Sequence, residues 1–249
     1  MLKATSAFLL AQEAGFNIAF RNTDTAMMQS GLYIIPCIEG WSVMYKRTLD
    51  YLLEQVMQNG AKCLFTYNGG DFVNFEQIFG LSSNGIRRSG KTHTAAFPFG
   101  DVEYTAQRDL YLASVGAEVL ATNEEGNIVF SRNKLGKGYC YFLGFPVEML
   151  ACNTTDGFAP ERTQPYYEIY RMFAEDACES YLVQTKDPYI GITQHKNPDG
   201  SFYVTAINYA DHTRQPELAC PEGWYWKVLY GNPAAIPACD GVVLHAMQK

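Results

Sequence analysis

Two uninterrupted apolar runs, "GLYIIPC" at 31–37 and "AKCLFTY" at 61–67, flank a segment of helical periodicity, and this order restricts the fold more than any other feature. A strand with one face in water alternates polar and apolar residues, whereas a strand apolar at consecutive positions must be covered on both faces. The segment between the runs carries Leu49, Leu52, Leu53 and Val56 on one face. It begins after Ser42, an expected N-cap, and stops at Asn59-Gly60. Strand, one-sided helix and second buried strand make the repeating unit of a parallel sheet covered by helices. Upstream, Phe8, Leu9, Ala11 and Gln12 lead into Ala14-Gly15, a short helix closed by glycine, and "FNIAFR" (16–21) is expected to follow as a strand. Downstream, "GGDFVNFEQIFG" (69–80) opens a second helical pattern.

From Arg87 to Phe145 the texture changes to short alternating segments. "EVLATN" (118–123), "NIVFSRN" (127–133) and "YCYFLGF" (139–145) read as strands separated by Glu-Glu-Gly and Leu-Gly-Lys-Gly. Pro165 then stands near the start of a helix with the stripe Tyr166, Ile169, Tyr170, Phe173 and Ala177. A domain boundary is placed after it, near residue 180. Residues 181–249 show no helical period: "YIGITQH" and "SFYVTAINY" flank the hairpin signal "KNPDG", and "GWYWKVLYG" and "GVVLHAM" supply further strands. The expected organisation is an α/β domain over 1–180 and a small all-β domain over 181–249.

Composition narrows the function classes. Hydrophobic residues make up 47% of the 249 and charged residues 18%, enough core material for one large or two ordinary domains. The net charge of −7 argues against a general binder of nucleic acid or anionic membrane. No apolar stretch approaches the roughly 20 residues of a membrane span, and the N-terminal "MLKATSAFLLAQEAG" has a helical pattern without a signal-peptide core. Seven cysteines without any CxxC (37, 63, 140, 152, 178, 220 and 239) read as free thiols in a reducing compartment, and a cytoplasmic location is expected.

Candidate chemistry is sparse. A lysine between glycines, Gly136-Lys137-Gly138, invites comparison with a phosphate loop. Such a loop needs a helix after GK[ST], because helix N-terminal amides hold the phosphate. Here a strand follows, so a tight β-turn with an exposed lysine is expected. Cys37 follows a buried strand, the place where a strand-to-helix elbow presents a nucleophile, but Pro36 and Ile38 are bulkier neighbours than an elbow accepts. Tyr67 and Asn68, at the end of the next strand, are not nucleophiles of that kind. His93, His195, His212 and His245 lack metal-ligand spacing, so neither a metal nor another cofactor is expected. Glu39, Asp71 and Glu148 each follow a strand and would lie at the carboxyl edge of the sheet, where α/β folds bind ligands. Helix capping or a solvated loop is the simpler role for them. Trp224 and Trp226 can form a sugar-stacking platform, or simply the inner side of a two-faced strand.

Several of these stretches together carry a resemblance. "LLAQEAGFNIAF", "GLYIIPCIEGWSVMYKRTLDYLLEQVMQNGAKCLFTYNGG", "IFGLSSNGIRR" and "NIVFSRNKLGKGYCYFLGFP" look like the trimerisation domain of family 42 β-galactosidases. "PDGSFYVTAINYADHT" through "GVVLHAM" resembles the small β domain that follows it. The resemblance implies a doubly wound, mostly parallel sheet of the class I glutamine-amidotransferase type without its catalysis and, in this chain, without its first strand. It also implies a homo-oligomer, a trimer in the family, and a catalytic (β/α)8 barrel that this chain does not contain. The family's catalytic glutamates lie on that barrel and correspond to no residue here. The expected role is thus a non-catalytic accessory and oligomerisation region of a β-galactosidase-like glycosidase. An amidotransferase-like hydrolase using Cys37 and a carbohydrate-binding module using Trp224 and Trp226 are the alternatives.

Overall fold

The computed structural model describes residues 2–22, 29–40, 44–70, 72–155, 157–159, 164–175 and 181–249. The chain divides into two compact units. One comprises Met1–Ala7, Ala19–Phe158 and Arg162–Tyr166; the other comprises Phe8–Ile18, Ala159–Glu161 and Tyr167–Lys249. Helix α1 (Leu2–Ala14) therefore begins in the first and ends in the second. The boundary expected near residue 180 lies outside the described residues, as do Ser42, Asp71, Ala177 and Cys178.

The first unit opens with β1 (Leu32–Ile38), α2 (Lys46–Asn59) and β2 (Lys62–Tyr67), as the apolar runs require. Helix α2 ends with Gly60 in a left-handed C-cap and buries Thr48, Leu52, Gln55 and Val56. Leu52 and Val56 meet Cys63, Phe65 and Tyr67 of β2 in one apolar cluster, each such buried side chain contributing about 1.5–3 kcal/mol. A short α3 (Phe75–Phe79) adds Ile78 and Phe79 to that cluster.

Seven further strands follow, of which four were not recognised individually from sequence: β3 (Leu81–Arg88), β4 (Thr92–Phe97), β5 (Gly100–Thr105) and β6 (Arg108–Ser114). β3 is mostly exposed and carries no apolar alternation, so its pairing is set by its neighbour rather than by its own pattern. β7 (Glu118–Asn123), β8 (Ile128–Leu135) and β9 (Gly138–Leu143) complete the unit, before α4 (Val147–Asn153).

The main sheet has seven strands in the order β1-β2-β9-β8-β7-β4-β5, and β3 and β6 form a separate two-stranded ribbon. The sheet is mixed. β1, β2 and β9 are parallel, whereas the joins from β9 through β8, β7 and β4 to β5 are antiparallel. The expectation of a mostly parallel sheet is thus corrected to a parallel core of three strands. Strands joined by short turns must run antiparallel, and only those with long connections can run parallel.

The Gly-Lys-Gly segment is the β8–β9 turn, with Leu135 opposite Gly138. Gly136 has φ +60°, and a Cβ on Gly138 would lie 2.1 Å from the Ala61 carbonyl oxygen. Lys137 N–H donates to Met57 O at 2.9 Å and Tyr139 N–H to Ala61 O at 3.1 Å. The turn is closed against the end of α2 through backbone, and Lys137, an exposed residue, takes part by its N–H.

"FNIAFR" (16–21), which runs from the second unit into the first, is not a strand. Gly15 N–H donates to Gln12 O and Phe16 N–H to Ala11 O, a Schellman closure of α1 that engages this backbone. Phe16 stacks on Tyr170 of α5 (Tyr167–Phe173). The β portion is a four-stranded antiparallel sheet, β10 (Ile190–Lys196), β11 (Phe202–Asn208), β12 (Trp224–Tyr230) and β13 (Gly241–Gln248), ordered β10-β11-β13-β12. Val204, Ala206, Val242, Leu244 and Ala246 fill one side together with Val183 and Ile236.

Candidate functional site

The carboxyl edge of the three parallel strands is where the chemistry-bearing residues of the first unit gather. Pro36 has no N–H for a ladder, and the β1–β2 register shifts between Ile35 and Ile38. This bulge places Cys37 at φ +50°, a conformation costing roughly 1–2 kcal/mol in a residue with a Cβ. Its N–H turns to the Thr66 hydroxyl at 2.6 Å. The same hydroxyl donates to Glu148 Oε2 at 2.7 Å, and the Cys37 thiol donates to that oxygen at 3.1 Å. Glu148, in the first turn of α4, is fully buried, and Cys37 is only 3% exposed.

This arrangement holds the sulfur as a thiol. Burial raises the Cys37 pKa far above its usual value, and the neighbouring Glu148 carboxylate raises it further. A nucleophilic cysteine needs the opposite, a cationic or partly exposed setting. Of the three carboxylates expected at this edge, Glu148 belongs to the buried knot, and Asp71 lies outside the described residues. Glu39 is on the rim, where Lys3 Nζ and Asn68 Nδ2 each donate to it at 2.8 Å. Both bonds and the Lys3 charge hold its carboxyl below the usual range. Beside the edge is a cavity of about 150 Å³ lined by Tyr67, Phe72, Phe75, Ile86, Leu110 and Leu112.

His93 is buried, 2% exposed. Its Nδ1 is 2.9 Å from Glu124 Oε1 and its Nε2 3.3 Å from Asp109 Oδ1. Among the described residues His93, Glu124 and Glu125 are close enough to share a cation. Lys91 Nζ already lies 2.8 Å from Glu125 and 3.6 Å from Glu124, so the chain supplies that cation itself.

In the second unit Trp224 and Trp226 point to the packed side of the sheet. Trp224 meets Phe202 edge-on at 5.6 Å, and Trp226 packs against the apolar cluster. The open side carries Tyr203, stacked on His245 at 4.9 Å, and the exposed Tyr225. Both tryptophans are half-buried on that side. His195 is exposed on β10, and His212 pairs with Asp211 at 2.8 Å on the surface.

No family model matches the sequence, and no curated protein matches it. Solved structures do share its fold. A catalytic mutant of Gan42B, a GH42 β-galactosidase from G. stearothermophilus, superposes with TM-score 0.67 at 14% identity, over 98% of this chain and 36% of that one. A cold-adapted β-galactosidase from Rahnella sp. R3 gives TM-score 0.67 at 16% identity, over 96% and 36%. An α-L-fucosidase, isoenzyme 2 from Paenibacillus thiaminolyticus, gives 0.66 at 10% identity, over 100% and 45%. The chain therefore has the fold of a region found in glycosidases, and it spans about a third of the length of the β-galactosidases it matches.

Proposed function

We propose that this chain is the non-catalytic accessory and oligomerisation region of a β-galactosidase-like glycosidase, with the α/β portion of glutamine-amidotransferase-like type serving assembly. The observation that carries the reading is the fold match over nearly the whole chain to part of two β-galactosidases. Since an α-L-fucosidase shares the fold equally well, the likeness speaks for a scaffold common to several sugar specificities. The edge of the parallel strands supports the same reading: its one cysteine is enclosed and held protonated, which disfavours the amidotransferase-like alternative. The packed tryptophans likewise give little support to a sugar platform at Trp224 and Trp226. On this proposal a catalytic barrel is the chain's partner, and like chains meet through a surface of about 1,000 Å² or more.

Size-exclusion chromatography with light scattering tests the assembly role. The expected mass is about three times the 27.9 kDa of one chain, and a strict monomer at high concentration overturns that role. A chromogenic aryl β-galactoside should be hydrolysed no faster than in buffer; turnover by the purified chain overturns the non-catalytic reading.

A further inference from the structure

β4 and β5 belong to the main sheet, and β3 and β6 continue the same pair of strands as the separate ribbon. The two halves meet where residues 89–91 join β3 to β4 and 106–107 join β5 to β6. At the far end the ribbon is anchored by backbone: Val115 and Ala117 N–H both donate to Gly80 O, at 2.9 and 3.1 Å. No backbone ladder ties the ribbon sideways to the main sheet among the described residues. In the bend itself Ser89 N–H donates to Gln107 O at 3.0 Å, so backbone joins the two strands there and side chains set how closely the ribbon is held against β4.

His93 occupies that bend. It is the second residue of β4, and it faces Tyr104, its register partner on β5, with ring centroids 5.5 Å apart. Glu124, in the turn after β7, accepts from Thr94 N–H at 2.9 Å and meets His93 Nδ1 at 2.9 Å. Asp109 on β6, whose register partner on β3 is Arg87, lies on the other side. Its oxygen is 3.3 Å from Nε2, an ion-pair distance without the angle of a hydrogen bond. Glu125 and Lys91 complete the charged groups around the ring and are paired with each other.

A ring between two carboxylates satisfies both only when both nitrogens carry protons. A neutral imidazole has one N–H. The shorter, aligned contact keeps that proton on Nδ1 toward Glu124, and the Nε2 lone pair then faces the Asp109 carboxylate. We propose that His93 is a proton-operated latch: as imidazolium it holds β6 to β4 at the bend, and loss of its proton releases the β3–β6 ribbon there. The ribbon supplies Ser83, Ile86, Leu110 and Leu112 to the wall of the cavity beside the parallel strands. The latch therefore sets how firmly that wall is held.

The test is hydrogen exchange of peptides spanning 81–88 and 108–114 on the full chain between about pH 5 and 9, corrected for intrinsic exchange, alongside ¹⁵N shifts of the His93 ring. With one proton linked, opening of the ribbon should rise by up to tenfold per pH unit as the ring loses its charge, and both ring nitrogens should be protonated at the low end. In Asp109→Asn the amide can donate to the neutral ring, so protection should become independent of pH. His93→Gln should likewise lose the pH response. A ring that stays neutral throughout, ribbon protection flat with pH in the unmodified chain, or an unchanged pH response in Asp109→Asn would each overturn the latch. Asp109 is partly exposed and its asparagine variant keeps the test open if His93→Gln does not fold.

Discussion

A carboxylate and a thiol sharing one oxygen decide what the carboxyl edge of the parallel strands can do. Glu148 receives a hydroxyl and a thiol donor within a fully buried site, so both side chains are spent on mutual satisfaction, as buried polar groups must be. Each unit of pKa above pH 7 removes a further factor of ten in thiolate. In native labelling with a maleimide at neutral pH, the exposed Cys239 should react first and Cys37 with the slowest group, beside Cys63 and Cys140. The latter two are buried neighbours across β2 and β9, and burial raises the pKa of both, that of Cys140 to about 12. Rapid selective labelling of Cys37 would mean an activated thiol and defeat the reading of an enclosed knot. Mass spectrometry of quenched time points separates the sites.

At the scale of elements, the β8–β9 turn and β12 show how backbone fit and side-chain direction divide the work. Gly138 is needed because Ala61 O occupies the space of its Cβ. Gly138→Ala should cost about 1–3 kcal/mol in denaturant unfolding, whereas Lys137→Ala should stay within about 0.5 kcal/mol. The reverse order would mean that the lysine, not the glycines, carries the turn's purpose. On β12, Trp226 packs inward and Tyr225 outward. Trp226→Ala should destabilise the chain by about 2 kcal/mol, and Tyr225→Ala by less than about 1 kcal/mol, read from the same unfolding curves. Equal costs would place both faces of the strand in packing.

For the molecule as a whole, pH acts through the charged cluster at the bend as well as through net charge. At Glu124, burial works to raise the pKa, but N–H donors from Thr94 and its own backbone, with His93 beside it, outweigh this and hold the carboxyl down to about 2 from 4.5. A carboxylate depressed in the folded state stabilises the fold above its unfolded pKa, and that contribution is lost as pH falls through the folded value. Stability should therefore decline between about pH 4.5 and 2, and Glu124→Gln should flatten that part of the profile. An unchanged acid limb in the variant would assign it to other carboxylates. At the same scale, no described helix is long and apolar enough to cross a membrane.

The local features of this chain were legible in its sequence because their causes are local. Consecutive apolar residues announced β1 and β2, the period of Leu52 and Val56 announced α2, and a glycine-lysine-glycine ahead of a strand announced a turn. β3 to β6 were not individually legible, since a mostly polar strand pairs only because a neighbour offers it a ladder. "FNIAFR" forms no strand either, and its first residue, Phe16, gives its N–H to the closure of α1. What the amino-acid order alone determined is an α/β portion with a buried parallel core, then a β portion. Tertiary structure decided the rest: that the sheet turns antiparallel beyond β9, that Glu148 is enclosed with Cys37 rather than solvated, and that His93 lies between two carboxylates. Periodicity and turn chemistry act over a few residues. The Cys37–Glu148 and Thr66–Glu148 contacts bridge separations of 111 and 82 residues, and whether a polar side chain is buried depends on what distant chain comes to cover it.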